Sequence, residues 1–368
     1  MPIFSCFLVI LISVLGLSGC GKSPLANPEI ASLPSGTAFV ISSPYDGLGS
    51  VGVVSPPSGD IQARSVSDTQ VPIGSIPNAG LLDGSHLYIV QSGSNSVLDL
   101  NPNTLVVQNE ISVGSGANPW SITLASSTKA YVTNWVANTV SVFDPTQKNP
   151  PVTTLTLPTG NALAPFSPMN STVSGPEGIA SSNGKIYVGL TNLNTSYTPG
   201  GPGLVVVFSA QNDQQEKVIT LSYTNTVALC TSKFFPDKVF SLSVGTYGDH
   251  LSGLEVIDTI TDTVIANCTI PADSTAIAIG WDGTLYLNDV STTTPLIVET
   301  LTLSGTTFSQ TTPLTLGSSG SATSLACDGN NTLYVTNTSK NQLVIRKPEG
   351  TIETYLVNLY PAVVVVKE

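Results

Sequence analysis

Charge is scarce in this chain of 368 residues: Asp, Glu, Lys and Arg together supply 10% of it, and 24 acidic residues outnumber 12 basic ones. The net charge of −12 repels phosphate backbones and anionic headgroups, which argues against a nucleic-acid partner. Histidine occurs twice. His86 follows the pair Asp83-Gly84 and reads as a solvated turn residue, whereas His250 sits in TYGDHLSG, so no catalytic dyad is supported. The nucleophile pattern G-x-S-x-G, phosphate-binding glycine loops and the C-x-x-C-H haem attachment are all absent. No segment carries the apolar period of a long helix.

One apolar run stands out, from Ile3 to Leu17, shorter than the roughly 20 residues that a bilayer span requires. It reads as an export signal, although the preceding residues carry no Lys or Arg. The run ends in Leu17-Ser18-Gly19-Cys20, which resembles the bacterial lipobox. That resemblance implies cleavage before Cys20 and its lipidation, with palmitate among the acyl chains, and Gly21 in place of Asp implies sorting to the outer membrane. Residues 1–19 are then a lipoprotein signal peptide, 20–35 a proline-containing lipidated tether, and 36–368 the folded body.

Within 36–368 seven short segments share an aromatic second position flanked by apolar residues: AFVIS, LYIVQ, AYVTN, IYVGL, VFSLS, LYLND and LYVTN. Their aromatics are Phe39, Tyr88, Tyr131, Tyr187, Phe240, Tyr286 and Tyr334, at intervals of 43 to 56 residues. A period of this size filled with β-runs marks sheets repeated around an axis. With the strands of a repeat lettered A (innermost) to D, the third reads WSITLA, KAYVTN, NTVSVFD and VTTLTL. Four A-to-B turns carry Asp-Gly or Asn-Gly, at Asp83, Asn183, Asp282 and Asp328, pairs that supply the positive φ of tight hairpins. The expected fold is all-β, a seven-bladed β-propeller of four-stranded antiparallel blades. The first repeat lacks an A strand and the run PAVVVVKE at 361–368 lacks a repeat, so this C-terminal strand is expected to join blade one and close the ring, leaving no free sheet edge.

The runs AYVTNWVANTVSVFD and LYVTNTSKNQLVI resemble the YVTN repeats of bacterial and archaeal surface propellers, and related signatures extend over 36–368. Likeness to WD40 repeats is architectural only, since their Gly-His and Trp-Asp pairs are missing. The resemblance implies a seven-bladed propeller in the cell envelope and no particular reaction.

Propeller ligands gather where A strands begin, and those positions here hold one carboxylate, Glu177, and no histidine. GPEGIASSNGKIYVG faintly resembles a segment of six-bladed lactonases, but a metal site needs several oxygen ligands from different blades. Neither metal ligands, catalytic residues nor a cofactor are therefore assigned. Cys230, Cys268 and Cys327 are read as buried small hydrophobes, Cys230 and Cys327 at matching A-strand positions with a blade between them. Insertions in a repeat array mark a binding face. Three of them, 160–175, 192–203 and 245–253, fall in D-to-A or B-to-C loops on one face. They place Trp120, Trp135, Phe166, Glu177, Tyr197, Tyr247, Asp249 and His250 in or beside one rim. Aromatics at a polar rim suit recognition. The reading is a cell-envelope lipoprotein that binds a protein or polysaccharide partner through this loop face and the membrane through its lipid. The alternative is a propeller enzyme of lactonase-like or quinoprotein type, and a third reading is a purely structural surface component.

Overall fold

Each of the seven repeat aromatics is at most 6% exposed, and each packs against the blade that follows its own. Alternation along the strand explains this: in Lys185–Leu190, Tyr187 joins the cluster shared with blade five while Ile186 and Val188 join the one shared with blade three. The computed structural model describes residues 33–44, 47–55, 71–158, 175–194 and 196–368. The expected signal peptide, Cys20, most of the tether and Phe166 lie outside them.

Among the described residues there is no α-helix, and the strands form seven antiparallel sheets. Blade two comprises Pro77–Asp83, His86–Gln91, Ser96–Leu100 and Val107–Ser112 as strands A to D. Blade three is Pro119–Ser126, Lys129–Asn134, Thr139–Phe143 and Thr153–Thr156. Blade four is Pro176–Ser182, Lys185–Leu190, Leu204–Ser209 and Gln215–Thr220, and blade five is Thr226–Cys230, Lys238–Ser243, Ser252–Asp258 and Thr263–Ile270. Blade seven is Ala322–Cys327, Leu333–Asn337, Gln342–Arg346 and Ile352–Leu356. Blade six departs from the pattern. Its A and B strands, Ile277–Ile279 and Leu285–Asn288, are short, and its long C strand Leu296–Ser304 pairs with two segments, Thr307–Gln310 and Leu314–Gly317. Pro313 falls in the gap between them, where a residue without an N–H interrupts the ladder.

Blade one is completed from the other end of the chain. Pro361–Val366 forms its A strand against Ala38–Ser42, with Leu48–Val54 and Val71–Ser75 outside, and Val40 pairs with Val364. Gly36 N–H donates to the Lys367 carbonyl at 2.7 Å and Lys367 N–H to the Thr37 carbonyl at 2.9 Å. The closure expected from the two incomplete repeats is the one observed.

Among the described residues no apolar cluster is central to the ring. Seven apolar clusters each lie between two neighbouring blades, so the ring is stabilised seam by seam. The seams between blades three and four and between blades four and five carry a carboxylate latch as well. Tyr131 and Lys129 of blade three both bond Asp213 in the C-to-D turn of blade four, and Tyr187 and Lys185 of blade four both bond Asp262 in that of blade five. Burial and the adjacent carboxylate push both tyrosine hydroxyls far above their usual range. His86 occupies the matching position in blade two but turns to Asp99 of its own blade, Nδ1 lying 2.9 Å from Oδ2. It is a partly buried strand residue rather than the solvated turn residue expected.

Candidate functional site

The A strands begin irregularly, and the irregularity recurs. Register shifts follow Pro77, Pro119, Pro176, Thr226 and Ala322, so that an extra residue is accommodated where each of these strands starts. Such bulges re-aim side chains. In blade four Glu177 and Gly178 together oppose Gly189, and in blade three Trp120 and Ser121 oppose Thr133. Gly178 is required because a Cβ there would lie 2.5 Å from the backbone N of Leu229 on the neighbouring A strand.

Glu177 is half-buried. Desolvation pushes its pKa up to about 8, against which the Trp135 indole N–H acts by favouring the charged form. Trp135 comes from the B-to-C turn of blade three, where its backbone N–H bonds the Asn118 carbonyl at 2.9 Å. Its Nε1 is buried without a partner in full hydrogen-bonding geometry, which leaves it free to lean on that carboxyl. Thr133 Oγ1 donates to the Glu177 carbonyl at 3.0 Å and ties the two blades together below the pair. Gly175, at φ +55°, brings the chain past: a Cβ there would meet Thr191 Oγ1 at 2.1 Å and Trp135 Nε1 at 3.1 Å.

The indole is stacked on Tyr197 from the B-to-C loop of blade four, with ring centroids 5.9 Å apart and planes 18° from parallel. Tyr197 is 66% exposed and Tyr247, from the corresponding loop of blade five, is 61% exposed. Burial, then the charges of Glu177 and Asp273, push the Tyr247 hydroxyl up to about 12. Asp273 is buried at 4% exposure and organises the blade-five loop. It accepts the N–H groups of Gly248 and His250 at 3.0 Å each, and His250 Nδ1 lies 3.2 Å from its Oδ2.

Of the residues predicted from sequence, Trp135, Glu177, Tyr197, Tyr247 and His250 thus belong to one linked set. Asp249 shares the exposed blade-five loop, held through its N–H to the Thr246 carbonyl, but its side chain makes no described contact with the set. Trp120 occupies the blade-three position equivalent to Glu177 and is half-buried without a described ring contact. Asp273 was not predicted. The signal existed, since it lies in the D-to-A connection of blade five, which emerges on the same face as the three insertions.

Beyond this set, Cys230, Cys268 and Cys327 are free thiols. Cys230 pairs with the aromatic Phe240, whereas Cys327 pairs with Leu333, one residue before Tyr334, so the two are one register step apart and do not match as expected. No group of three or more His, Cys, Asp or Glu among the described residues could hold a metal ion.

The fold itself has many solved counterparts. The chain is similar to a putative 6-phosphogluconolactonase from Bacteroides fragilis, with TM-score 0.67, 14% identity and coverage of 92% of this chain and 99% of that one. It is also similar to apo AztD from Citrobacter koseri, with TM-score 0.61, 12% identity and coverage of 91% and 99%. A virginiamycin B lyase from Staphylococcus aureus, solved with quinupristin as a catalytically inactive variant, gives TM-score 0.57 at 15% identity over 77% and 84%. No family model and no curated protein matches the chain. At these identities the likeness is one of fold. The molecule is a seven-bladed β-propeller. Chemically, the rim joins exposed aromatic faces to a carboxyl group held near neutrality by burial, an arrangement that can grip a ligand and can also exchange a proton.

Proposed function

We propose that the chain is a cell-envelope lipoprotein, anchored in the outer membrane through Cys20, whose propeller binds an envelope partner through the rim of blades three to five. The observation that carries the binding role is the Trp135–Tyr197 stack, with Tyr197 two-thirds exposed and the Trp135 indole turned to Glu177. A large aromatic left in water at the mouth of a rigid ring loses apolar burial that a partner would restore.

The geometry of the chain ends supports the same reading. Residues 33–36 approach the start of strand B in blade one, and Leu33 accepts a bond from Lys367 at the end of its A strand. Both lie on the face of the A-to-B and C-to-D turns, opposite the rim. A lipid on Cys20 would therefore tether the propeller from that face, which leaves the rim on the opposite side.

The test is affinity capture of tagged lipoprotein from its own envelope, native against a Trp135→Ala, Tyr197→Ala, Tyr247→Ala variant. A partner recovered only with the native protein supports the reading; equal recovery, with both proteins folded, overturns the location of the site. The raised pKa of Glu177 favours a second reading, an enzyme using it as acid or base, because perturbed carboxyls gather at reactive sites. That reading requires turnover, on lactones or lyase substrates such as those of similar propellers, that is lost in Glu177→Gln.

A further inference from the structure

The A-to-B turns lie on the face opposite the rim, and one of them is enlarged. Residues 231–237 join strands A and B of blade five, where 84–85, 127–128 and 183–184 do so in blades two, three and four. An enlarged loop in a repeat array marks a binding face. Within this loop Phe235 packs against Phe240, ring centroids 5.3 Å apart, and anchors the segment on the seam between blades five and six. Phe234 is left 50% exposed. Its ring rests on Gly283 of the blade-six turn, where a Cβ would come within 2.5 Å of it. The same turn presents Trp281, 42% exposed, and is pinned from blade seven by Asn331, whose Oδ1 accepts the Asp282 N–H at 3.0 Å.

Phe234 and Trp281 line one cavity of about 470 Å³, within the roughly 300–1,000 Å³ of small-molecule sites. Ser181, Ile279 and Cys327, from the ends of the A strands of blades four, six and seven, line it too, which places it at the mouth of the channel. Among the described residues the charged members of the lining are Lys233 and Glu368, and they neutralise each other: Lys233 Nζ bonds the Glu368 carboxylate and lies 4.7 Å from the Trp281 ring centroid. The remaining polar lining is neutral, and part of its hydrogen-bonding capacity is unused. Asn183 donates through Nδ2 to Asp237 and Thr259, leaving Oδ1 to accept, and Ser232 Oγ accepts the Phe234 N–H at 3.1 Å, leaving its own proton to donate.

We propose that this cavity binds a neutral saccharide, one pyranose ring set against Phe234 and Trp281 with its hydroxyls among Ser181, Asn183, Thr231 and Ser232. The chemistry of the lining selects that class. A wholly apolar ligand would leave these hydroxyl and amide groups dehydrated and unpaired. An anion or a cation would have to draw Lys233 or Glu368 away from its partner. A pyranose instead offers a face of C–H groups to the aromatic rings and, around its edge, hydroxyls that both donate and accept. The site lies on the face opposite the rim and does not depend on the partner role given to the rim.

The experiment applies full-length protein, solubilised in a detergent without a sugar headgroup, to an array of neutral, sulfated and uronic-acid oligosaccharides. Calorimetry then titrates the neutral oligosaccharides that bind and their component monosaccharides. Binding confined to neutral sugars is expected, and Phe234→Ala and Trp281→Ala should each weaken it at least about tenfold. Both side chains are exposed, so replacement leaves the fold intact, which melting curves check. Phe234→Tyr keeps a flat ring and should bind as the native protein does, whereas full binding by Phe234→Leu would overturn ring stacking as the mode of recognition. A monosaccharide that binds as tightly as its oligosaccharide supports the site with a free sugar as occupant; tighter binding of the oligosaccharide supports it with the end of a glycan chain. No binding to any sugar, or a preference for acidic ones, overturns the proposal. Loss of sugar binding in Tyr197→Ala would move the site to the rim and also overturn it. Quenching of tryptophan by brominated phosphatidylcholine in proteoliposomes, abolished in Trp281→Phe and with no sugar bound, would assign the two rings to a lipid surface instead.

Discussion

The Tyr187 hydroxyl of blade four donates to the Asp262 carboxylate of blade five at 2.6 Å, and Lys185 reaches the same carboxylate at 2.6 Å. The contact joins a strand-B residue to a turn more than seventy residues later in the chain. One aromatic position thus does two things at once: its ring fills an apolar seam and its polar tip fastens the next blade's outer hairpin.

Tyr187→Phe keeps the ring and removes the tip. Hydrogen bonds to charged groups contribute about 1.5–3 kcal/mol, so urea unfolding should show a loss within that range. Adding Lys185→Met should cost less than the sum of the single changes, since both side chains serve one carboxylate. Strict additivity would mean that the two contacts are independent.

Deleting 361–368 removes the A strand of blade one and bares both the edge of Ala38–Ser42 and the channel side of that blade. The shortened protein should be unfolded or aggregated by circular dichroism and light scattering. Val364→Asp, at a site 4% exposed and paired with Val40, should weaken the ring without shortening the chain. An unchanged melting temperature after the deletion would remove the closure argument.

Glu177 is protonated in the fold up to about pH 8, from an ordinary value of 4.5. Between those values the folded protein holds a proton that the unfolded chain has released, so this residue makes stability fall as pH rises, with its full effect reached above pH 8. Thermal melts of the native protein and Glu177→Gln, compared from pH 4 to 9, should diverge in favour of the variant as pH increases. Parallel curves would show that the carboxyl is not held neutral.

Burial pushes the thiols of Cys230 and Cys268 up to about 12, and that of Cys327 higher still with help from Asp328. The thiolate is the reactive form, so iodoacetamide at pH 8 should label the folded protein slowly. After unfolding, three reactive thiols per chain are expected if the signal has been removed and Cys20 is lipidated. Five would mean an unprocessed chain, because five is the number in the full sequence.

The rim was partly legible in the sequence because insertions in a repeat stand out against their neighbours, which is how Trp135, Tyr197, Tyr247 and His250 were found. Asp273 carries no such mark, because it stands neither at the start of an A strand nor in an enlarged loop. The burial of Glu177 was not legible either: it depends on Trp135 arriving from another blade and on Gly175 letting the chain pass close by.

What the sequence determined by itself was the number of blades, their strand order and the way the ring closes. Those follow from a local pattern repeated seven times, in which an aromatic flanked by apolar residues can be buried only between two sheets, and from two incomplete repeats that complete each other. The tertiary structure alone decided which blade each tyrosine tip fastens, that Cys230 and Cys327 are out of step, and that a single glutamate is held near neutrality beneath a stacked tryptophan. These depend on register and on distances between blades, and a pattern within one blade does not contain them.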